Sequence, residues 1–191
     1  MGQFEFTPLV LGGAYAIKNF CYSDQRGSFI KSFEKQIYSH GGIKFDISET
    51  FVSVSSQNVI RGLHFQLNAP QSKLICLLSG KAWDVIVDLR KSSPTYKKWV
   101  SIDLDSNGKN AVFVPRGFAH GFASLENNTT MIYQCEGPYD KETDTGIIYN
   151  DPALNITWPI ADSEAILSDR DKSLMLFSEF EERVKEYGTY E

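Results

Sequence analysis

The sequence predicts a mainly β protein, an antiparallel sandwich or barrel with a few short helices. Three observations carry that class: many short apolar runs, period-two alternation within them, and turn residues between them. Alternation is clearest in "AWDVIVDL", where Trp83, Val85, Val87 and Leu89 share one face and Asp84, Ile86 and Asp88 the other. "TTMIYQCE" likewise places Met131, Tyr133 and Cys135 on a common face.

In chain order, "KSFEKQIYSHGG" reads as a short helix closed by Gly41 and Gly42. Strands follow at "FVSVSS", "NVIRGLHFQ", "KLICLLSG", "AWDVIVDL", "WVSIDL", "NAVFVP", "HGFASL" and "TTMIYQCE". Between them stand Asn-Ala-Pro, Ser-Gly, Ser-Ser-Pro, Ser-Asn-Gly, Pro-Arg-Gly and Glu-Asn-Asn, which are turn signals. Many short strands at this spacing indicate a sandwich or barrel. The tail from Lys172 to Tyr187 is charged, with Leu176, Phe177, Phe180 and Val184 at helical spacing, so a helix there packs one face on a sheet. No repeat, linker or low-complexity segment divides the chain. We expect a single domain over residues 1–191, with its core at about 24–160 and a helical tail at 172–187.

Composition excludes several classes. With 191 residues and 42% hydrophobic content, one sizeable core can be buried. Lys and Arg number 19 against 24 Asp and Glu, a net charge of −5, so no global basic field invites nucleic acid. Cys21, Cys76 and Cys135 lie far apart without CxxC spacing, which argues against a zinc cluster or disulfide scaffold and fits a reducing cytoplasm. No charged-then-apolar leader opens the chain and no apolar run approaches membrane-spanning length, so neither export nor a membrane is expected. "MGQFEF" lacks the Ser or Thr of a myristoylation signal, having Phe6 instead. The triplets at Asn127 and Asn155 match the glycosylation pattern by chance, since no signal peptide precedes them.

The chemistry is carried by few residues. In "NVIRGLHFQ", Arg61 and His64 interrupt an otherwise apolar strand, where two polar groups are costly unless they face something. The chain has three histidines, His40, His64 and His120. The settings of two of them, "GLHFQ" and "VPRGFAHGF", resemble the histidine-bearing strands of the cupin jelly roll. A metal-binding cupin needs a His-x-His pair, and here Gln66 occupies the partner slot, so no metal is expected.

Longer motifs make the resemblance specific. "RGLHFQ", "WDVIVDLRKSSPTYKKW", "VPRGFAHGF", "IYQCEGPYDKETDTGIIYNDPALNITWP" and "LSDRD", in that order, resemble the dTDP-4-dehydrorhamnose 3,5-epimerase family, and the match runs from Arg26 to Asp171. That resemblance implies a double-stranded antiparallel β-helix, or jelly roll, acting as a cofactor-independent homodimer. It also implies a nucleotide-sugar substrate whose carbons flanking a ketone are inverted, in deoxysugar biosynthesis.

Inverting a centre beside a ketone requires a base on one face, an acid on the other and stabilisation of the enolate between them. His64 suits the base, because an imidazole titrates near working pH. Asp171 would hold its tautomer, Tyr133 would be the acid, and Lys73 and Arg61 would stabilise the enolate oxygen or the diphosphate. The resemblance implies the same roles. It adds His120 and Arg170 to the substrate site, Tyr139 as a stacking partner for the base, and Arg26, Phe29, Lys31, Glu49, Phe51 and Asp144 as further substrate-binding positions. Each residue alone has a plainer reading: Asp171 could cap a helix, Tyr133 could be core, and Arg61 and Lys73 could be surface cations.

One geometric demand follows. Arg61 and His64 are three apart, so a regular strand would point them to opposite faces. Gly62 between them predicts a bulge that turns both into one cavity.

The sequence also departs from the family. Lys31 stands where these enzymes usually carry Glu, Glu49, Thr50 and Phe51 replace a stretch that usually supplies Gln and Asn, and Asp144 stands where Glu is usual. These departures keep a CDP- or GDP-linked 4-keto sugar, inverted at one carbon, open beside dTDP. A ketoisomerase and a non-catalytic sugar-nucleotide-binding cupin are the rivals from other classes.

Overall fold

The structure, a computed structural model, describes residues 4–105, 110–186 and 190. The Ser106-Asn107-Gly108 turn, the first three residues and the end of the tail at Tyr187 lie outside the described residues.

Two antiparallel sheets pack face to face. The first has six strands: β1 (Glu5–Pro8), β2 (Tyr15–Lys18), β5 (Glu49–Ser55), β7 (Ser72–Ser79), β10 (Ala111–Val114) and β12 (Thr129–Glu136). Their order is β1-β2-β10-β7-β12-β5. The second has five: β6 (Ile60–Gln66), β8 (Lys81–Asp88), β9 (Trp99–Asp105), β11 (Phe118–Ser124) and β13 (Asp144–Gly146), in the order β13-β6-β11-β8-β9. A separate two-stranded ribbon joins β3 (Phe20–Asp24) to β4 (Gly27–Lys31). This is the jelly roll the sequence predicts, and the six-stranded sheet takes in Glu5–Lys18, upstream of the expected core.

Alternation along the strands builds three apolar layers. Between the sheets lie Ile75, Leu77, Ile86, Ile102, Val112, Phe122, Met131 and Tyr133, drawn from both. Outside the five-stranded sheet, Leu63, Phe65, Val85 and Val87 meet Phe177 and Phe180 of the C-terminal segment. Outside the six-stranded sheet, Leu74, Cys76 and Phe113 meet Tyr38 of α1 (Lys35–His40) and Phe45. The alternation read from "AWDVIVDL" holds: Val85 and Val87 enter one layer and Ile86 the other. Gly41 and Gly42 end α1 as expected, their N–H groups donating to Ile37 and Ser39 carbonyls.

The tail departs from the single helix expected over 172–187. A one-turn α2 (Asp169–Lys172) stops, Met175 bridges Ile147 as extended chain, and α3 (Phe177–Arg183) starts afresh. Ile148 N–H donates to the Met175 carbonyl, and the Glu179 carboxylate accepts from Leu176 N–H at 2.9 Å, so strand pairing and a new cap win over helix continuation. Leu176 is consequently exposed, while Phe177 and Phe180 are fully buried. Each buried ring contributes about 1.5–3 kcal/mol relative to exposure.

The bulge in β6 is present. His120 of β11 pairs with His64 and Phe122 with Arg61, so three steps on β6 match two on β11. Gly62 takes φ +109°, and a Cβ there would stand 2.6 Å from Gly121 Cα and from the His120 carbonyl oxygen. Gly62→Ala therefore carries both backbone strain, about 1–3 kcal/mol, and a collision with backbone that cannot yield. In a chain of this size each kcal/mol lowers Tm by about 2–4 °C. We expect a clear fall in Tm together with loss of turnover; a variant melting with the parent would show that the bulge does not need glycine.

Candidate active site

The bulge decides what the site can contain. Leu63 and Phe65 enter the outer apolar layer, while Arg61 and His64 both line a cavity of about 330 Å³ between the sheets. From β11 come His120 and Phe122, from β7 Lys73, from β12 Tyr133, and from β5 Glu49, Phe51 and Ser53. Gln71, Tyr139, Asp144 and Arg170 complete the wall.

His64 is anchored from behind. Its Nε2 lies 2.6 Å from Asp171 Oδ1. An ionised carboxylate only accepts, so Nε2 carries a proton, and in the neutral imidazole the lone pair is then on Nδ1. Asp171 is 4% exposed, and Ser168, not Asp171, caps α2 through its hydroxyl. Burial raises the Asp171 carboxyl, but the His64 hydrogen bond and charge, Ser168 and Arg170 outweigh it and hold the group below the usual carboxylate range.

Tyr133 stands on the opposite sheet. Its ring stacks on Phe51, its direct cross-strand partner, with centroids 4.7 Å apart and planes 11° from parallel. Burial pushes its phenol well above the usual tyrosine value. Ser53 pulls the other way, although Ser53 Oγ is buried without a hydrogen-bond partner, so no bond closes between the two. A phenol held protonated beside a cavity can donate.

The cations surround the same space. Burial lowers the Lys73 ammonium, against the pull of Cys135, Asp144 and Glu49. Arg61 Nε donates to Ser55 Oγ at 3.1 Å, and Arg170 Nη2 donates to Asp144 Oδ2 at 2.9 Å. Tyr139 Oη also donates to Asp144 Oδ2, at 3.2 Å. Glu49 accepts from Gln71 Nε2 at 3.2 Å.

Ten of the expected residues thus line one cavity, and Asp171 supports it through His64. Arg26, Phe29 and Lys31 are not brought there. They lie on the β3–β4 ribbon, where Arg26 pairs with Asp24, Phe29 is exposed and Lys31 pairs with Glu34. Ser53, Gln71 and Phe122 were not foreseen. Period two along the strands signals two of them, Ser53 following Glu49 and Phe51, and Phe122 following His120.

The metal question turns on Gln66. Its amide nitrogen donates to the Ala69 and Pro138 carbonyls and its oxygen accepts from Asp140 N–H, so it ties loops together. Among the described residues no three His, Cys, Asp or Glu side chains converge to hold a metal ion.

Residues 8–179 match the family model described as dTDP-4-dehydrorhamnose 3,5-epimerase. A protein of that name from Methanothermobacter thermautotrophicus is 37% identical over 174 residues, covering 91% of this chain and 94% of that one. The dTDP-6-deoxy-D-glucose-3,5-epimerase of Legionella pneumophila, solved with dTDP-4-keto-L-rhamnose, superposes with a TM-score of 0.88 at 33% identity, over 95% of this chain and 97% of its own. A 3'-monoepimerase from Streptomyces bikiniensis, solved with dTDP-quinovose, gives 0.83 at 31% identity, over 92% and 89%. With an imidazole held by a buried aspartate, a phenol on the opposite sheet and matches across nearly its whole length, the chain belongs to the dTDP-4-dehydrorhamnose 3,5-epimerase family.

Proposed function

We propose that this chain inverts C3 and C5 of dTDP-4-dehydro-6-deoxyglucose, giving dTDP-4-dehydrorhamnose for deoxysugar biosynthesis, and that His64, Tyr133, Asp171 and Lys73 carry the reaction. The observation behind this is that base and acid are borne by opposite sheets across one cavity. His64 Nδ1 removes the proton beside the ketone, and the electron pair moves to the carbonyl oxygen. The Lys73 ammonium stabilises that enolate oxygen. The double bond then re-forms the ketone as Tyr133 returns a proton to the other face of the ring; water takes the proton from the His64 imidazolium and restores the phenol's, which resets both groups. Asp171 balances the imidazolium while it exists. Repetition at the second carbon completes both inversions.

Arg61 and Arg170 meet the diphosphate, and Tyr139 packs on the base. Of the five positions that depart from the family, Glu49, Phe51 and Asp144 line the cavity while Lys31 and Thr50 do not, so any change in ligand choice falls to those three. The homodimer is part of the same reading. Edge strand β5 leaves Val52 and Val54 exposed on its outer side, a surface that a monomer rarely keeps open. A second copy also offers Arg26, Phe29 and Lys31 another cavity to meet; the mass in solution decides this.

The test is incubation with dTDP-4-dehydro-6-deoxyglucose in heavy water, with NMR at C3 and C5 separately. We expect deuterium and inversion at both carbons. Deuterium without inversion at C5 would make the chain a monoepimerase, a moved carbonyl would make it a ketoisomerase, and no deuterium would leave a binding protein. Thermal stabilisation should rank dTDP above CDP, UDP and GDP, because a ligand of the folded state raises stability with its affinity. A preference for another base would overturn dTDP.

A further inference from the structure

Of the buried carboxylates that the reaction just described does not use, Asp84 is the one bonded to a residue of the cavity wall. Asp84 lies on the inner face of β8 with no exposed surface, two residues from Ile86 of the apolar layer between the sheets. Its Oδ2 is 2.7 Å from His120 Nε2, and its Oδ1 is buried without any partner. Burying a carboxylate this way is expensive, and a core that needed only volume would hold an aliphatic side chain there.

The surroundings repeat a pattern already seen. His120 and His64 are direct cross-strand partners on β11 and β6. Each imidazole gives Nε2 to a buried aspartate, His64 to Asp171 and His120 to Asp84, which leaves Nδ1 as the free nitrogen of both. The His120 ring also meets Tyr133 edge-on, with centroids 6.1 Å apart at 71°. After burial, and with Ser53 and Arg61 opposing it, the Asp84 charge adds to what keeps the phenol protonated.

We propose, resting on the function above, that Asp84 is a positioning residue for the proton-returning side of the site. Through His120 Nε2 it fixes the imidazole, whose edge keeps the Tyr133 ring in line and whose Nδ1 faces the sugar. His64 has its own aspartate, so proton removal does not depend on Asp84.

That division is what the experiment reads. Parent, Asp84→Asn, His120→Asn and the double variant are compared in heavy water for deuterium uptake and for inversion. Losing the partner that orients a ligating histidine typically costs on the order of 10–100-fold, and we expect inversion to fall in that range in Asp84→Asn while deuterium uptake and KM stay near parental. The double variant should lose no more than the worse single one, because both changes break one unit. Uptake and inversion falling together, multiplying losses, or no loss at all would each overturn the proposal. Should Asp84→Asn fail to fold, nitrogen NMR of the parent takes its place. A proton on His120 Nδ1 instead of Nε2 overturns the proposal; a proton on Nε2 supports it, and His120→Asn must then separate uptake from inversion. A parent that epimerises no 4-keto sugar nucleotide overturns the proposed function, and the tautomer then decides the Asp84 pairing alone.

Discussion

His64→Asn will abolish deuterium uptake at the carbons beside the ketone. A general base contributes on the order of 10²–10⁴-fold, so uptake and inversion should both fall at least that far. Asparagine places its amide near the Nδ1 position and stops short of Nε2, so it loses the Asp171 bond while keeping most of the packing, and the fold should persist. His64 is partly exposed at the cavity wall, which limits the packing lost. Asp171→Asn should be milder, since the imidazole remains but its tautomer is no longer enforced and its cation no longer balanced. Near-parental uptake in folded His64→Asn would remove this residue from the role, and His120 would be the next imidazole to examine.

Tyr133→Phe will separate the two halves of the reaction. The ring keeps its stack on Phe51 and its edge contact with His120, while the hydroxyl is lost. That hydroxyl's recorded contact is a long one, 3.9 Å to Met131 Sδ, so stability should hardly change. Proton removal by His64 should continue, and deuterium should still enter the substrate from the base side. Inversion should fall on the order of 10²–10⁴-fold, as expected for a lost general acid. A variant that inverts as fast as the parent would make Tyr133 a packing residue and water the proton source. Together the two variants place base and acid independently, which neither does alone.

Why some of this was legible in the sequence is a matter of periodicity. Two-residue alternation assigned faces in β8 and β12, and three-residue spacing around Gly62 foretold the bulge, because those rules are local. Asp84 was visible as a charge on an apolar face, yet its partner His120 is thirty-six residues away in sequence, and no local rule pairs them. The tail misled for the opposite reason: Leu176, Phe177, Phe180 and Val184 satisfy helical spacing, but Met175 is captured by Ile147, a distant bridge that stops the first turn. Arg26, Phe29 and Lys31 were placed by resemblance, and a resemblance records order along the chain, not which side of a ribbon meets which cavity. Gln71 lies on no regular strand, so no period could mark it.

Where the strands sit in their sheets divides the protein's capacity to change. His64, His120, Lys73 and Tyr133 ride on β6, β11, β7 and β12, each hydrogen-bonded to a neighbour on both sides. Glu49, Phe51 and Ser53 ride on β5, and Asp144 on β13, the outermost strand of each sheet. Substitutions at an outermost strand disturb one ladder and meet solvent, whereas those at an inner strand disturb two and meet core. Evolvability is therefore partitioned: ligand preference can drift along the margins of the sandwich with little loss of stability, while the proton chemistry stays fastened at its centre.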